Sequence, residues 1–120
     1  NISYTHYQFF KADLQLLEFA LKARIGKYKI IAGRILTGYQ FLTHKEKKKY
    51  KYLIEELKGD CVEMEGAAVA QVCVINEIPH LIVRTVSDKA DGTAVEDYNK
   101  FFPIVASNSF KIVELVLKQL

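Results

Sequence analysis

The sequence predicts an α/β fold, a mainly parallel or mixed sheet with helices packed on it, in a single domain over residues 1–120. Three observations predict it. β-Branched runs alternate with amphipathic helical patterns, the order that lays parallel strands in one layer and helices over them. Half of the 120 residues are apolar, enough to bury one core. The third is a junction: Cys61, Val62 and Glu63 read as a strand that runs through Met64 and Glu65 into the small residues Gly66, Ala67 and Ala68. In parallel sheets such strand-to-helix junctions are where ligands collect.

The elements follow in order. Residues 2–10 alternate loosely as a weak strand. Leu14, Leu17, Ala20 and Leu21 give residues 12–23 a helical stripe, ended by Gly26. Ile30, Ile31 and Ile35 make 28–35 a buried strand weakened at Gly33. Thr43 and Glu46 form a capping box for a helix whose core face is Tyr50, Leu53, Ile54 and Leu57, and Gly59 closes it. Residues 60–64 are a strand, 65–76 a helix, and 81–87 the next strand, entered after Pro79. A polar loop precedes a long helix with Phe101, Ile104, Val105, Ile112, Val113, Val116 and Leu120 on one side, which Pro103 should kink or split.

Composition excludes several functions. The net charge of +3 is mild, and much of the lysine excess sits in the run 45–51, which argues against a nucleic-acid partner. That run reads either as a solvated helix face or as a docking face for an anionic partner. No stretch approaches the roughly 18 apolar residues of a membrane span, and no signal peptide opens the chain. Cys61 and Cys73 have apolar neighbours and suit reduced thiols, hence a reducing, cytoplasmic setting. His6, His44 and His80 are not at metal-ligand spacing, and there is no phosphate-cradling glycine loop, so neither a metal nor a cofactor is expected. The chain starts at Asn1 and its one methionine is Met64, which suggests a fragment or a processed chain.

Two strand ends carry polar clusters: Glu63 with Glu65, and Arg84 with Ser87 and Asp88. Sequential strands are commonly neighbours, which would converge three carboxylates, one guanidinium and one hydroxyl, with Phe41 as an aromatic wall. Carboxylates accept from sugar hydroxyls, an arginine keeps them ionised, and an aromatic face stacks on a base. Such a set suits cleavage of a glycosidic bond through an oxocarbenium-like state. The plainer alternatives stay open: Glu65 as an acid at a helix N-terminus, Glu63 as a solvated strand-end acid, Arg84 as a structural ion-pair partner, Asp88 as a loop cap.

The segments Val62-Glu63-Met64-Glu65-Gly66-Ala67-Ala68 and Val83-Arg84-Thr85-Val86-Ser87-Asp88-Lys89-Ala90-Asp91 together resemble the 5′-methylthioadenosine/S-adenosylhomocysteine nucleosidases of the purine nucleoside phosphorylase superfamily. The motifs cover about residues 34–120, and the likeness fades before Lys11. The resemblance implies a partial nucleoside phosphorylase-like fold, its C-terminal portion, and release of adenine from an adenine nucleoside in methionine salvage. It implies that Asp88 protonates the purine at N7, with Ser87 orienting it. Glu65 and the Met64 backbone would hold the ribose hydroxyls, with Arg84 and Glu63 supporting that carboxylate and the attacking water. Phe41 would stack on the base, the Leu42 backbone would read its edge, and Tyr98 would line the pocket for the 5′ substituent.

The departures are specific. Family members are about twice as long, and their first half, with a further catalytic glutamate and a glycine-rich segment, has no counterpart here. Tyr39 stands where the family usually has an aspartate. The resemblance therefore implies a homo-oligomer or pairing with the missing N-terminal half, and an exposed sheet edge. The rival readings are an inactive truncated paralogue that binds a ligand or polyanion, and a phosphorolytic enzyme.

Overall fold

The computed structural model describes residues 9–38, 51–86 and 94–120, without the side chains of 94–102. Its sheet pairs β1 (Ile35–Thr37) with β2 (Cys61–Glu63) in parallel, Ile35 opposite Cys61, Leu36 opposite Val62 and Thr37 opposite Glu63. Parallel pairing requires a long crossover between the strands, as the sequence order demands. The structure has the predicted α/β class, with a parallel ladder and helices.

Helix α1 (Leu14–Lys22) starts where Asp13 accepts from the Leu16 amide at 3.0 Å. The Asp13 amide itself donates to the His80 carbonyl at 2.8 Å, tying this helix start to the segment at 80–86. α1 ends at Ala23, before Gly26, which takes a left-handed φ of 53° in the turn bridging Ile25 and Tyr28.

The segment after residue 50 departs from a regular helix. Tyr52–Glu56 is π-helical, and the Leu57 amide reaches back to the Tyr52 carbonyl at 3.2 Å. The wider turn leaves Ile54 exposed while Leu53 and Leu57 stay half-buried, so the expected four-residue core face is broken. The left-handed residue of the exit is Lys58, not Gly59. Gly59 is needed for a different reason: a Cβ there would overlap the buried Leu36 side chain of β1.

α2 (Gly66–Ile75) follows β2 directly and packs on β1, and α3 (Ala94–Gln119) packs on α1. α3 runs through Pro103 without being split. Its inward face is Asn108, Ile112 and Val116, flanked by half-buried Val105 and Ser109, whereas Ile104, Val113 and Leu120 are exposed. Ile112 and Val116 join Ala20 and Ile25 in the core, with Leu16, Phe19, Ile30, Leu81, Val83 and Leu115 packed around them. Burial of each such aliphatic side chain contributes about 1.5–3 kcal/mol.

Two expected strands are not assigned as strands. Residues 28–34 and 81–86 have the β-branched composition, yet only Ile35–Thr37 enters a ladder. A strand is defined by a hydrogen-bonded neighbour, and among the described residues neither 29–33 nor 81–86 has a backbone hydrogen bond. The expected capping box at Thr43 and Glu46, the lysines 45–49 and Tyr50 lie outside the described residues.

Candidate active site

The parallel register sets Thr37 and Glu63 side by side at the carboxyl ends of β1 and β2, and the chain turns into α2 immediately beyond. A helix start leaves its first amides without internal partners. Here side chains from the two strand ends supply them. Glu63 Oε2 accepts from the Glu65 amide at 2.7 Å and the Gly66 amide at 2.6 Å, and Thr37 Oγ1 accepts from the Ala67 amide at 2.9 Å. The Thr37 hydroxyl donates to Glu63 Oε1. Glu65 occupies the N-cap position yet makes no capping bond with its own side chain.

Arg84 enters from the 81–86 segment. Its guanidinium donates to Glu63 Oε2 at 2.6 Å and to Glu65 Oε2 at 3.3 Å, so the two acids face one cation as their spacing around the junction predicts. Their environments differ. The Glu63 side chain is 8% exposed and that of Glu65 is 69% exposed. Burial pushes the Glu63 pKa up, but the Thr37 hydroxyl, the Glu65 and Gly66 amides and the Arg84 charge outweigh it and hold the carboxyl below its usual range. The same burial, with the nearby carboxylates of Asp60 and Glu63, pushes the Cys61 thiol up against the opposing Arg84 charge.

The outcome for the expected site is therefore uneven. Glu63, Glu65 and Arg84 come together, with exposed Met64 between the acids. Glu63 is not a solvated strand-end acid: its side chain is buried and caps α2, whereas the plainer alternative had placed Glu65 as the acid at that helix N-terminus. Phe41, Leu42, Ser87 and Asp88 lie outside the described residues, and Tyr98 lies on α3 with its side chain outside them. Thr37 is the residue that sequence reasoning missed. Its signal was available only through the register, which puts it opposite Glu63 from 26 positions away.

The cluster borders a cleft of about 1040 Å³ whose lining includes Thr37, Glu63, Gly66, Ala67 and Arg84 at one part and Ile30, Leu81, Val83, Asn108 and Ile112 elsewhere. Glu65, exposed and held by one guanidinium contact, is the carboxylate free to accept from ligand hydroxyls. Among the described residues no group of three or more His, Cys, Asp or Glu could hold a metal ion, both cysteines are free, and no helix is long and apolar enough to cross a membrane.

The chain is similar to several known proteins. The 5′-methylthioadenosine/S-adenosylhomocysteine nucleosidase of Mycobacterium tuberculosis is 44% identical over 85 residues, 71% of this chain and 32% of that protein. The aminodeoxyfutalosine nucleosidase of Helicobacter pylori is 36% identical over 104 residues, 84% of this chain and 44% of that protein. Among solved structures, a mutant Helicobacter pylori nucleosidase with 5′-methylthioadenosine in its active site superimposes with a TM-score of 0.84 at 30% identity, covering 100% of this chain and 51% of that one. The chain thus spans about half or less of the length of these relatives. The family model for the phosphorylase superfamily matches residues 2–118, reaching further toward the N-terminus than the motifs at 62–68 and 83–91. The chain belongs to the phosphorylase superfamily.

Proposed function

We infer that this chain carries part of the active site of an N-glycosyl hydrolase that releases adenine from 5′-methylthioadenosine and S-adenosylhomocysteine. The observation that carries the reading is the pair of acids on Arg84, one buried and one exposed, at a strand end of a superfamily member whose relatives are named for those substrates.

Glu65 accepts from the ribose hydroxyls, helped by the Met64 backbone, and its negative charge supports the cationic sugar as the bond to the base breaks. Arg84 aligns the Glu65 carboxylate, and Glu63 holds Arg84 in place. Asp88 gives a proton to N7 of the purine as the glycosidic electron pair moves onto the base, so adenine leaves neutral. Water bonds to the anomeric carbon and yields its proton to solvent, completing hydrolysis. Ser87 orients Asp88, Phe41 stacks on adenine, the Leu42 backbone reads its edge, and Tyr98 lines the pocket for the 5′ substituent. No cofactor enters this reaction.

A second substrate is worth weighing because one group of relatives is named for aminodeoxyfutalosine. That nucleoside presents the same problem at the glycosidic bond, with a different 5′ group. Exposed Val69, Val72 and Ile75 on α2 support the expected association with another polypeptide, either a second copy or the remaining half of the fold.

The test is release of adenine from 5′-methylthioadenosine, S-adenosylhomocysteine and aminodeoxyfutalosine, by this chain alone and with a polypeptide supplying the remaining half. Turnover lost in Asp88→Asn supports the reading. Folded protein with no turnover in either condition, or turnover that requires phosphate, overturns it.

A further inference from the structure

One oxygen, Glu63 Oε2, accepts from the Glu65 amide at 2.7 Å, the Gly66 amide at 2.6 Å and the Arg84 guanidinium at 2.6 Å. Glu65 is thereby held at both ends through a single atom. Its amide bonds to Oε2 directly, and its carboxylate accepts, at 3.3 Å, from the same Arg84 nitrogen that Oε2 holds. The terminal torsion of a glutamate is soft, with broad minima rather than staggered wells, so donors gathered on one oxygen leave the plane of the carboxylate free to swing. The other oxygen stops that motion. Among the described residues Oε1 has one hydrogen-bond partner, the Thr37 hydroxyl.

Thr37 is built to be that stop. Its β-branched side chain is stiff at χ1, and its backbone is fixed opposite Glu63 in the ladder, which the Gly38 amide closes by donating to the Glu63 carbonyl at 2.9 Å. Although Thr37 borders the cleft, its hydroxyl proton goes to Glu63 and a lone pair accepts the Ala67 amide at 2.9 Å, so its bonds are to protein groups. We propose that Thr37 is a positioning residue for ligand binding: by orienting the Glu63 carboxylate it fixes Arg84 and the Glu65 amide together, and so holds the exposed Glu65 carboxylate where the vicinal hydroxyls of a ribose meet it. Thr37 acts through Glu63, from 26 positions earlier in the chain, and touches neither the ligand nor the reacting atoms. This deepens the nucleosidase reading, on which it rests for the identity of the ligand. Its consequence is a dependence of hydroxyl recognition on a side chain that makes no contact with the hydroxyls.

The test reads binding rather than turnover, by calorimetry, with the chain alone and with a polypeptide supplying the remaining half. An Asp88→Asn background keeps the ligand from being consumed. The probes are 5′-methylthioadenosine and its counterpart lacking both ribose hydroxyls. The parent should prefer the first. Thr37→Val should weaken that ligand about tenfold, the loss of one hydrogen bond to a charged group, and leave the counterpart unchanged. Thr37→Ser should restore the preference. Asp13→Ala removes the side-chain cap of α1 at Leu16, a comparable loss of stability away from the acids, and should leave the preference intact. Without ligand, the Arg84 guanidinium nitrogens should give separate NMR signals in the parent and in Thr37→Ser, and an averaged one in Thr37→Val. The proposal is overturned by a parent that shows no preference, by a Thr37→Val chain that keeps the preference or weakens both ligands equally, by an Asp13→Ala chain that loses it as fully, or by Arg84 signals that Thr37→Val does not alter. Adenine release whose preference for the hydroxyls is independent of Thr37 keeps the nucleosidase reading and sinks this inference. A Thr37-dependent preference in binding, with no adenine released when Asp88 is present, does the reverse.

Discussion

Thr37 and Glu63 stand opposite each other in the parallel ladder, and the hydroxyl of the first donates to the carboxylate of the second. The pair does more than close the strand ends. Between them they accept three amides at the start of α2, from Glu65, Gly66 and Ala67, so the sheet grips the helix through two side chains. The helix N-terminus in turn favours the negative charge of Glu63. The position of the exposed Glu65 is therefore set by the register of β1 on β2.

Removing the Thr37 hydroxyl should loosen this grip. Thr37→Val leaves the Ala67 amide and one Glu63 oxygen without their partner and should cost about 1–2 kcal/mol of unfolding free energy. Thr37→Ser keeps the donor and acceptor and should recover most of it. Urea unfolding of the three chains measures the difference.

Stability should fall in acid through Glu63. Its folded pKa lies below the ordinary carboxylate value, so the folded state binds its proton less readily than the unfolded state. The corresponding stabilisation is fully present above the unfolded pKa and is lost as pH falls through the folded one. Glu63→Gln should be less stable near neutrality and show a flatter dependence across the acid range, as read from melting temperatures against pH.

Gly66 should tolerate no side chain. A Cβ there would lie 2.7 Å from Glu63 Oε1, so Gly66→Ala must displace the carboxylate and should cost about 1–3 kcal/mol. Gly38→Ala meets nothing within 4 Å and should change stability by less than about 0.5 kcal/mol. Comparing the two by denaturation separates the cost of the contact from a general intolerance near the site.

Cys61 should be a slow nucleophile. Burial and the carboxylates of Asp60 and Glu63 keep its thiol protonated, and Arg84 is the one opposing charge. Alkylation by iodoacetamide should be slower at Cys61 than at a free cysteine, and slower again in Arg84→Ala once corrected for unfolding.

How far the sequence led depends on whether the relevant contact is local. The strand–junction–helix run at 61–75 was legible because period and small residues are read over a few positions. The meeting of Glu63, Glu65 and Arg84 was legible because it needed only the segments at 61–65 and 81–86 to be neighbours. Thr37 was not, since its role depends on which residue of β2 it faces. The segments at 28–34 and 81–86 look like strands by composition, but composition cannot supply the hydrogen-bonding neighbour that makes one. Pro103 was expected to kink or split α3, and the helix runs through it unsplit. Asn108 carried no signal at all: a lone polar residue in a helix is legible as buried only once the packing of α3 on α1 is known.

The most direct measurement is a carbon-detected NMR titration of the Glu63 carboxyl in the parent chain and in Thr37→Val. The account predicts a midpoint below that of an ordinary glutamate, moving upward when the hydroxyl is removed. A midpoint at or above the ordinary value, unchanged by the substitution, would contradict the claim that Glu63 is the ionised, buried cap of α2.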